Sequence, residues 1–314
     1  MNLKMKLSKH FSRLVVTLAA LAFAVGASVA PTLAAESGNV TFTVTAVGKK
    51  NTVPPEIKRE DVELRNGKER LQIADWRRED TLRLAILIDD SLDPVVAGQW
   101  SDLKEFIMSQ PDTTYIAVAY ARNGTAAVAQ DFTNNHELAA KALRIPLGSA
   151  GAISSPYLAV LDFIKRWPSK GGRNSILFIS AGIDYFRGGF GLENPDVDSA
   201  ISRAEKGNIN IWTVYSPDNF HRGRGFFRVN NAQSLLSKLS EQTGAESYYL
   251  GFGAPVTLKP YFEEIDQHLK NQYLLSFHGD GGKKGKFERA RVHTEQPGVE
   301  FLTFDEVFLP PTEQ

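Results

Sequence analysis

The chain has 314 residues, with 36 Lys+Arg, 36 Asp+Glu and no cysteine. The balanced charge excludes the concentrated basic surface of a nucleic-acid-binding protein. The missing thiols exclude disulfides, a cysteine nucleophile, a thiolate zinc site and lipid anchoring through cysteine, so stability must come from a buried core.

Lys4, Lys6, Lys9 and Arg13 are followed by an apolar run from Leu14 to Val25, broken only by Thr17, and then by small residues ending in Ala34-Ala35. This order is that of a secretory signal peptide over residues 1–35. The run is shorter than the roughly 20 residues that cross a bilayer, so cleavage is expected rather than a retained anchor. The expected address is therefore exported, periplasmic or extracellular. Removing the four basic residues leaves 32 Lys+Arg against 36 Asp+Glu, a mildly acidic remainder of roughly 280 residues, enough for one large core or two smaller ones. No later segment is long and apolar enough to span a membrane.

Residues 36–80 read as short strands. Val40 to Val47 alternates with period two, and Asn66-Gly67 stands between two alternating runs, 59–64 and 71–73, as a hairpin turn. Residues 81–271 change character. Leu82 to Ile88 is a near-continuous apolar strand, the pattern of a sheet covered on both faces. Asp93-Pro94 predicts a helix start, cap then proline, running to about Ser109. A strand over 114–121 turns at Asn123-Gly124 into an antiparallel partner over 125–130. Helices are expected at about 135–144 and 155–166, then a strand over 175–179, a helix near 196–206, a strand over 209–215 and a helix near 231–242. A short strand over 247–250 and a helix over about 258–271 complete the section. Alternating strands and helices imply an α/β unit with a mostly parallel sheet, one antiparallel edge strand and helices on both faces. Residues 272–314 return to β, with strands over 272–277, 287–293 and 301–304. This segment and 36–80 are each too small to fold alone and are expected to pack together as one small β module.

Ligands of an open parallel sheet gather beyond the carboxyl ends of its strands. The first such end reads Ile88-Asp89-Asp90-Ser91-Leu92-Asp93-Pro94. It has no glycine-rich turn for a phosphate, but it offers oxygen at Asp89, Ser91 and Asp93, the ligand type of Mg²⁺ or Ca²⁺. Here the sequence resembles von Willebrand factor type A domains, in which a buried strand ends in Asp-x-Ser-x-Ser, an antiparallel hairpin comes next, and a later strand ends in Thr-Asp-Gly. It is especially similar to the exported bacterial group of VWFA-related proteins, across almost all of the mature length. That similarity includes the hairpin from Arg59 to Ile73, the helix-to-strand segment from His268 to Phe277 and the strand beginning Gly285-Lys286-Phe287.

The resemblance implies a metal-ion-dependent adhesion site, and the chain departs from it. Asp89 and Ser91 match the first two ligands. Asp93 replaces the third, a serine. Ala150 or a neighbour stands where a threonine belongs, and Ser180-Ala181-Gly182 replaces Thr-Asp-Gly. Two readings compete. Either Asp89, Ser91 and Asp93 hold Mg²⁺ or Ca²⁺ weakly, or no cofactor binds and the three residues are local structure. In the second and preferred reading, Asp93 caps the helix, Ser91 bonds nearby backbone and Asp89 pairs with a base or amide.

Two later loops on the same predicted rim are long and aromatic. Tyr185, Phe186, Arg187 and Phe190 lie in one, and Phe220, Arg222, Arg224, Phe226 and Phe227 in the other. Aromatic residues with arginine dominate protein-binding hot spots, so these nine residues are the expected contact surface for a protein partner. Enzymatic signatures are lacking. The later histidines, His136, His221, His268, His278 and His293, are scattered, without His-Glu-x-x-His or Gly-x-Ser-x-Gly. The sequence thus points to an exported, non-enzymatic adhesion or scaffold protein with a degenerate metal site. A metal-dependent hydrolase at the Asp89, Ser91 and Asp93 corner is the alternative.

Overall fold

The computed structural model describes residues 38–148, 154–168, 171–185, 193–219, 225–249, 251, 253 and 256–311. The expected leader lies outside them.

The chain begins with β1 (Asn39–Gly48), β2 (Val62–Asn66), β3 (Glu69–Leu71) and β4 (Ile73–Arg77). β2 and β3 form the Asn-Gly hairpin, with Gly67 at φ 58°. The α/β part opens with β5 (Leu82–Asp89), buried at every position. Asp93 caps the next helical segment, accepting from Val95 N. The first turns are 3-10, from Pro94 to Gln99, and α1 (Trp100–Met108) starts only afterwards. The expected single helix is therefore split. Val95-Val96 and Gly98 disfavour α-helix there through side-chain stiffness and backbone freedom.

The hairpin of β6 (Thr114–Arg122) and β7 (Thr125–Thr133) turns through Asn123 and Gly124, both at positive φ, the geometry that matches strand twist. Then come α2 (His136–Lys141), α3 (Pro156–Lys165), β8 (Arg173–Ser180), α4 (Pro195–Gly207), β9 (Ile209–Tyr215), α5 (Phe226–Gln242), β10 (Ser247–Tyr248) and α6 (Lys259–Lys270). The last part holds β11 (Gln272–His278), β12 (Lys286–Glu288), β13 (Arg291–Thr294), β14 (Val299–Leu302) and β15 (Val307–Leu309). The single strand expected over 287–293 is two strands in different sheets.

The central sheet has the order β10-β9-β8-β5-β6-β7. All its pairings are parallel except β6 with β7. Alternate side chains of β5 feed two cores: Leu84, Ile86 and Ile88 face α1 and α6, while Ala85 and Leu87 face α3, α4 and α5. A third core lies in a four-stranded sheet, β14-β1-β11-β4, where residues from both ends of the chain interleave. Tyr273 of β11 stacks on Trp76 of β4 at 4.5 Å, and its hydroxyl accepts from Ile57 N and Arg78. Because β11 comes one residue after α6 and pairs with both β1 and β4, residues 37–314 form one compact unit.

One contact between these parts is sensitive to pH. Glu205 of α4 is buried and accepts from Glu306 N at 3.1 Å. Burial, opposed by the hydrogen bond from Glu306 N and aided by the charges of Glu306 and Asp305, pushes its carboxyl from 4.5 up to about 7. The folded chain thus holds a proton that the unfolded chain releases earlier, so Glu205 lowers stability as pH rises from about 4.5 through 7. Glu205→Gln removes that burden. We expect it to stabilise by about 2 kcal/mol at pH 8 and to have little effect at pH 4. Urea unfolding at the two pH values checks this, and an equal effect at both would refute it.

Candidate functional site

β5 ends at the centre of the sheet, and its terminal carboxylate is buried. Asp89 is 4% exposed. Its Oδ1 accepts from Ser91 N (2.9 Å) and Ser91 Oγ (2.7 Å), and its Oδ2 accepts from Ser180 Oγ at 2.7 Å, at the end of the adjacent β8. Ser180 Oγ in turn accepts from Gly182 N. Burial raises the Asp89 pKa, the serine hydrogen bonds oppose that shift, and the nearby charge of Asp218 adds to it. The expected base or amide partner of Asp89 is thus two hydroxyls and a backbone N–H.

The base in this corner belongs to the next residue. Asp90, the first residue past β5 and fully buried, takes Arg144 as a bidentate partner at 2.7 and 2.8 Å. Asp90 also accepts from Leu147 N, and the Arg144 guanidinium lies 3.7 Å from the centroid of the Tyr120 ring. Nothing in the sequence singles out Arg144, which lies three residues past α2 and reaches Asp90 only through the fold.

Other loops close on the same rim. Asn219 N donates to Ser91 O, and Asn219 Nδ2 to Gly148 O. Asp93 N donates to Pro217 O. Tyr185 is turned inward: its hydroxyl donates to Asp218 and its ring packs against the α1–α6 core. It closes the corner instead of extending the expected contact surface. Asp184 accepts from Asn194 Nδ2 at 2.9 Å.

The sheet order, with its antiparallel β6–β7 edge hairpin and Asp89-x-Ser91 at the carboxyl end of a central strand, decides the fold type. It is von Willebrand factor A-like. No protein-family model and no curated protein matches the sequence. Solved structures similar to the chain include the vWF domain of the type V pili tip protein Mfa5 from Porphyromonas gingivalis, with TM-score 0.46, 10% identity, and coverage of 62% of this chain and 96% of that one. Another is the conserved hypothetical protein BatB from Bacteroides thetaiotaomicron, with TM-score 0.44, 14% identity, and coverage of 60% and 99%. A third is an aerotolerance-related membrane protein from Bacteroides fragilis, with TM-score 0.43, 12% identity, and coverage of 60% and 98%.

Two positions at the vWA-like corner depart from the donor set of the divalent cation that the resemblance implies. Asp93 turns its carboxylate to Val95 N, and Ala181 stands where a further carboxylate belongs. The segment 149–153, where Ala150 takes the threonine position, lies outside the described residues.

Of the nine residues expected to contact a partner, Phe186, Arg187, Phe190, Phe220, Arg222 and Arg224 lie outside the described residues. Phe226 and Phe227 are described, and they differ from expectation in one respect: they form the first turn of α5, which starts at 226 and not near 231. They are 61% and 80% exposed and meet edge to face at 5.5 Å. A Cβ on Gly182, just past the end of β8, would lie 2.9 Å from Ala232 O of α5. Phe226 is six residues earlier, about 9 Å along the helix, so the pair projects beyond the rim that Asp89 occupies. Segments of that rim carry three further exposed apolar residues that the sequence did not mark: Val95 after Asp93, and Ile145 and Leu147 beside Arg144. Val95 lies in the short 3-10 segment and Ile145 and Leu147 in irregular chain, so no hydrophobic period signals them.

Proposed function

We propose that this chain is an exported, non-enzymatic binding protein that captures a protein partner on the rim of its vWA-like sheet, without a metal at Asp89. The observation that carries the reading is the exposed Phe226–Phe227 pair at the rim-side end of α5. Large aromatic side chains held out by a rigid helix are what interface hot spots need, and Val95, Ile145 and Leu147 extend the apolar character of the rim. The export signal rests on the leader pattern alone. No helix among the described residues is long and apolar enough to cross a membrane.

A non-enzymatic role is supported by the condition of the corner. The oxygens of Asp89 are occupied by Ser91 and Ser180, and those of Asp90 by Arg144 and Leu147 N. A degenerate adhesion site of this kind holds loops together by hydrogen bonds where a metal would otherwise do so.

The test is affinity capture from the exported fraction by the full chain, compared with a Phe226→Ser/Phe227→Ser double variant. Capture is expected to fall at least tenfold, with the thermal midpoint nearly unchanged, because both rings face solvent. Millimolar Mg²⁺ or Ca²⁺ is expected to leave capture unaltered. Undiminished capture by the double variant would sink the proposal, and dependence on the cation would restore a metal-bridged mechanism.

A further inference from the structure

A second group of titratable side chains lies away from the rim, where the edge strand β10 meets α6. Glu264 and His268 are four residues apart on α6 and so share a face of that helix. Glu246 stands just before β10, and Tyr248 lies on it. Glu246, Glu264 and His268 bring one ligand atom each to within 4.8 Å of one another. His268 Nδ1 is 3.8 Å from Glu246 Oε2 and 3.2 Å from the Tyr248 hydroxyl. That hydroxyl is itself 3.2 Å from Glu246 Oε2. His268 is 1% exposed, and its imidazole stacks on Trp212 at 5.3 Å.

The protein alone leaves this network incomplete. Tyr248 has one hydroxyl proton, and both Glu246 and His268 Nδ1 are in position to receive it. If Glu246 takes it, Nδ1 carries the ring proton and the lone pair of Nε2 is left over. If Nδ1 takes it, Glu246 loses that donor and Nε2–H is left over. In both states Nε2, buried, has no hydrogen-bond partner. A cation on Nδ1 ends the competition for the Tyr248 proton, which then goes to Glu246, while Nε2–H stays unpaired. Two carboxylates and an imidazole whose ligand atoms lie within 4.8 Å of one another are the donors a divalent ion draws together.

We propose that Glu246, Glu264 and His268 form a binding site for a divalent transition metal, with Zn²⁺ the best match to one nitrogen and two carboxylate oxygens. Ligand atoms around a tetrahedral zinc lie about 3.4 Å apart, given bonds of about 2.0–2.2 Å. The Glu246–His268 separation is near that value already, and rotation of the half-buried Glu264 side chain closes the remainder. Mg²⁺ and Ca²⁺ are poorer fits, since they prefer an all-oxygen shell. The fourth position stays open to water on the edge of the sheet, and the Tyr248 hydroxyl orients Glu246. The site is remote from Asp89 in sequence and on a different element, so it does not depend on the rim reading.

The experiment is calorimetric titration of the chelator-stripped full chain with Zn²⁺. One ion per chain is expected, with micromolar or tighter affinity and a rise in thermal midpoint that excess EDTA reverses. Glu264→Gln keeps the shape of the side chain while removing a ligand charge, and it is expected to weaken binding at least tenfold. Its metal-free midpoint should be equal to or higher than that of the unaltered chain, because a like-charge contact is gone. Glu246→Gln provides the same comparison should Glu264→Gln fold poorly. Absence of saturable zinc binding, or equal affinity in the glutamine variants, would overturn the proposal and leave the cluster as a structural network.

Discussion

Arg144→Ala is expected to destabilise the chain by about 3 kcal/mol, because it strands a charge that the fold keeps from water. Asp90 is fully buried, and Arg144 supplies two of its hydrogen bonds. Removing the guanidinium leaves a carboxylate inside the protein with Leu147 N as its one remaining donor among the described residues. It also removes the cation from the face of Tyr120, a contribution of about 1 kcal/mol at a partly exposed site. The Arg144 side chain is 40% exposed, which places the expected cost at the lower end of the range for buried ion pairs. The double variant Asp90→Asn/Arg144→Met should recover part of the loss, because it removes the stranded charge along with its partner. Urea unfolding of the three variants measures both quantities. A loss below about 1 kcal/mol for Arg144→Ala would show that Asp90 finds compensation elsewhere.

The contrast between β5 and the two aspartates at its end shows which features of this molecule are legible in its sequence. The apolar run Leu82–Ile88 reads as a doubly covered strand because both faces of β5 are buried, and a single residue type suffices for that signal. The Asn-Gly turns at Asn66-Gly67 and Asn123-Gly124 read directly because positive φ restricts the residues that can occupy them. The partners of Asp89 and Asp90 could not be read in this way. Ser180 and Arg144 come from segments 91 and 54 residues away, and only the strand order brings them to the end of β5.

Local competition explains the other differences. The stretch before Val229 is rich in glycine and arginine and looks like a loop, yet α5 begins at Phe226, with Gly225 at φ 89° ending the preceding segment. The zinc-type cluster was equally hidden. His268 reads as one of several scattered histidines, and Glu246 lies 22 residues before it on another element. Packing of α6 against β9 and β10 makes them neighbours.

Gly182→Ala is the second substitution with a large expected effect, a loss of about 3 kcal/mol. Gly182 occupies the last position of the Ser180-Ala181-Gly182 segment, at φ 66°. An L-residue there costs roughly 1–2 kcal/mol from backbone sterics alone. The added Cβ would also lie 2.8 Å from Leu236 Cγ and 2.9 Å from Ala232 O, both in α5. Neither atom is the free end of a flexible chain, so the helix itself must shift, at a further cost of about 1–3 kcal/mol. Gly67→Ala separates the two contributions. Gly67 has φ 58° in the β2–β3 turn, and a Cβ there meets nothing within 4 Å, so this variant carries the backbone cost alone. A clear excess for Gly182→Ala over Gly67→Ala in urea unfolding is the expected result, and equal costs would show that α5 yields freely. The same shift should reach the proposed binding surface. Gly182 N donates to the serine that bonds Asp89, while the opposed wall is the helix that carries Phe226 and Phe227. A folded Gly182→Ala protein should therefore lose partner capture although neither phenylalanine has been touched.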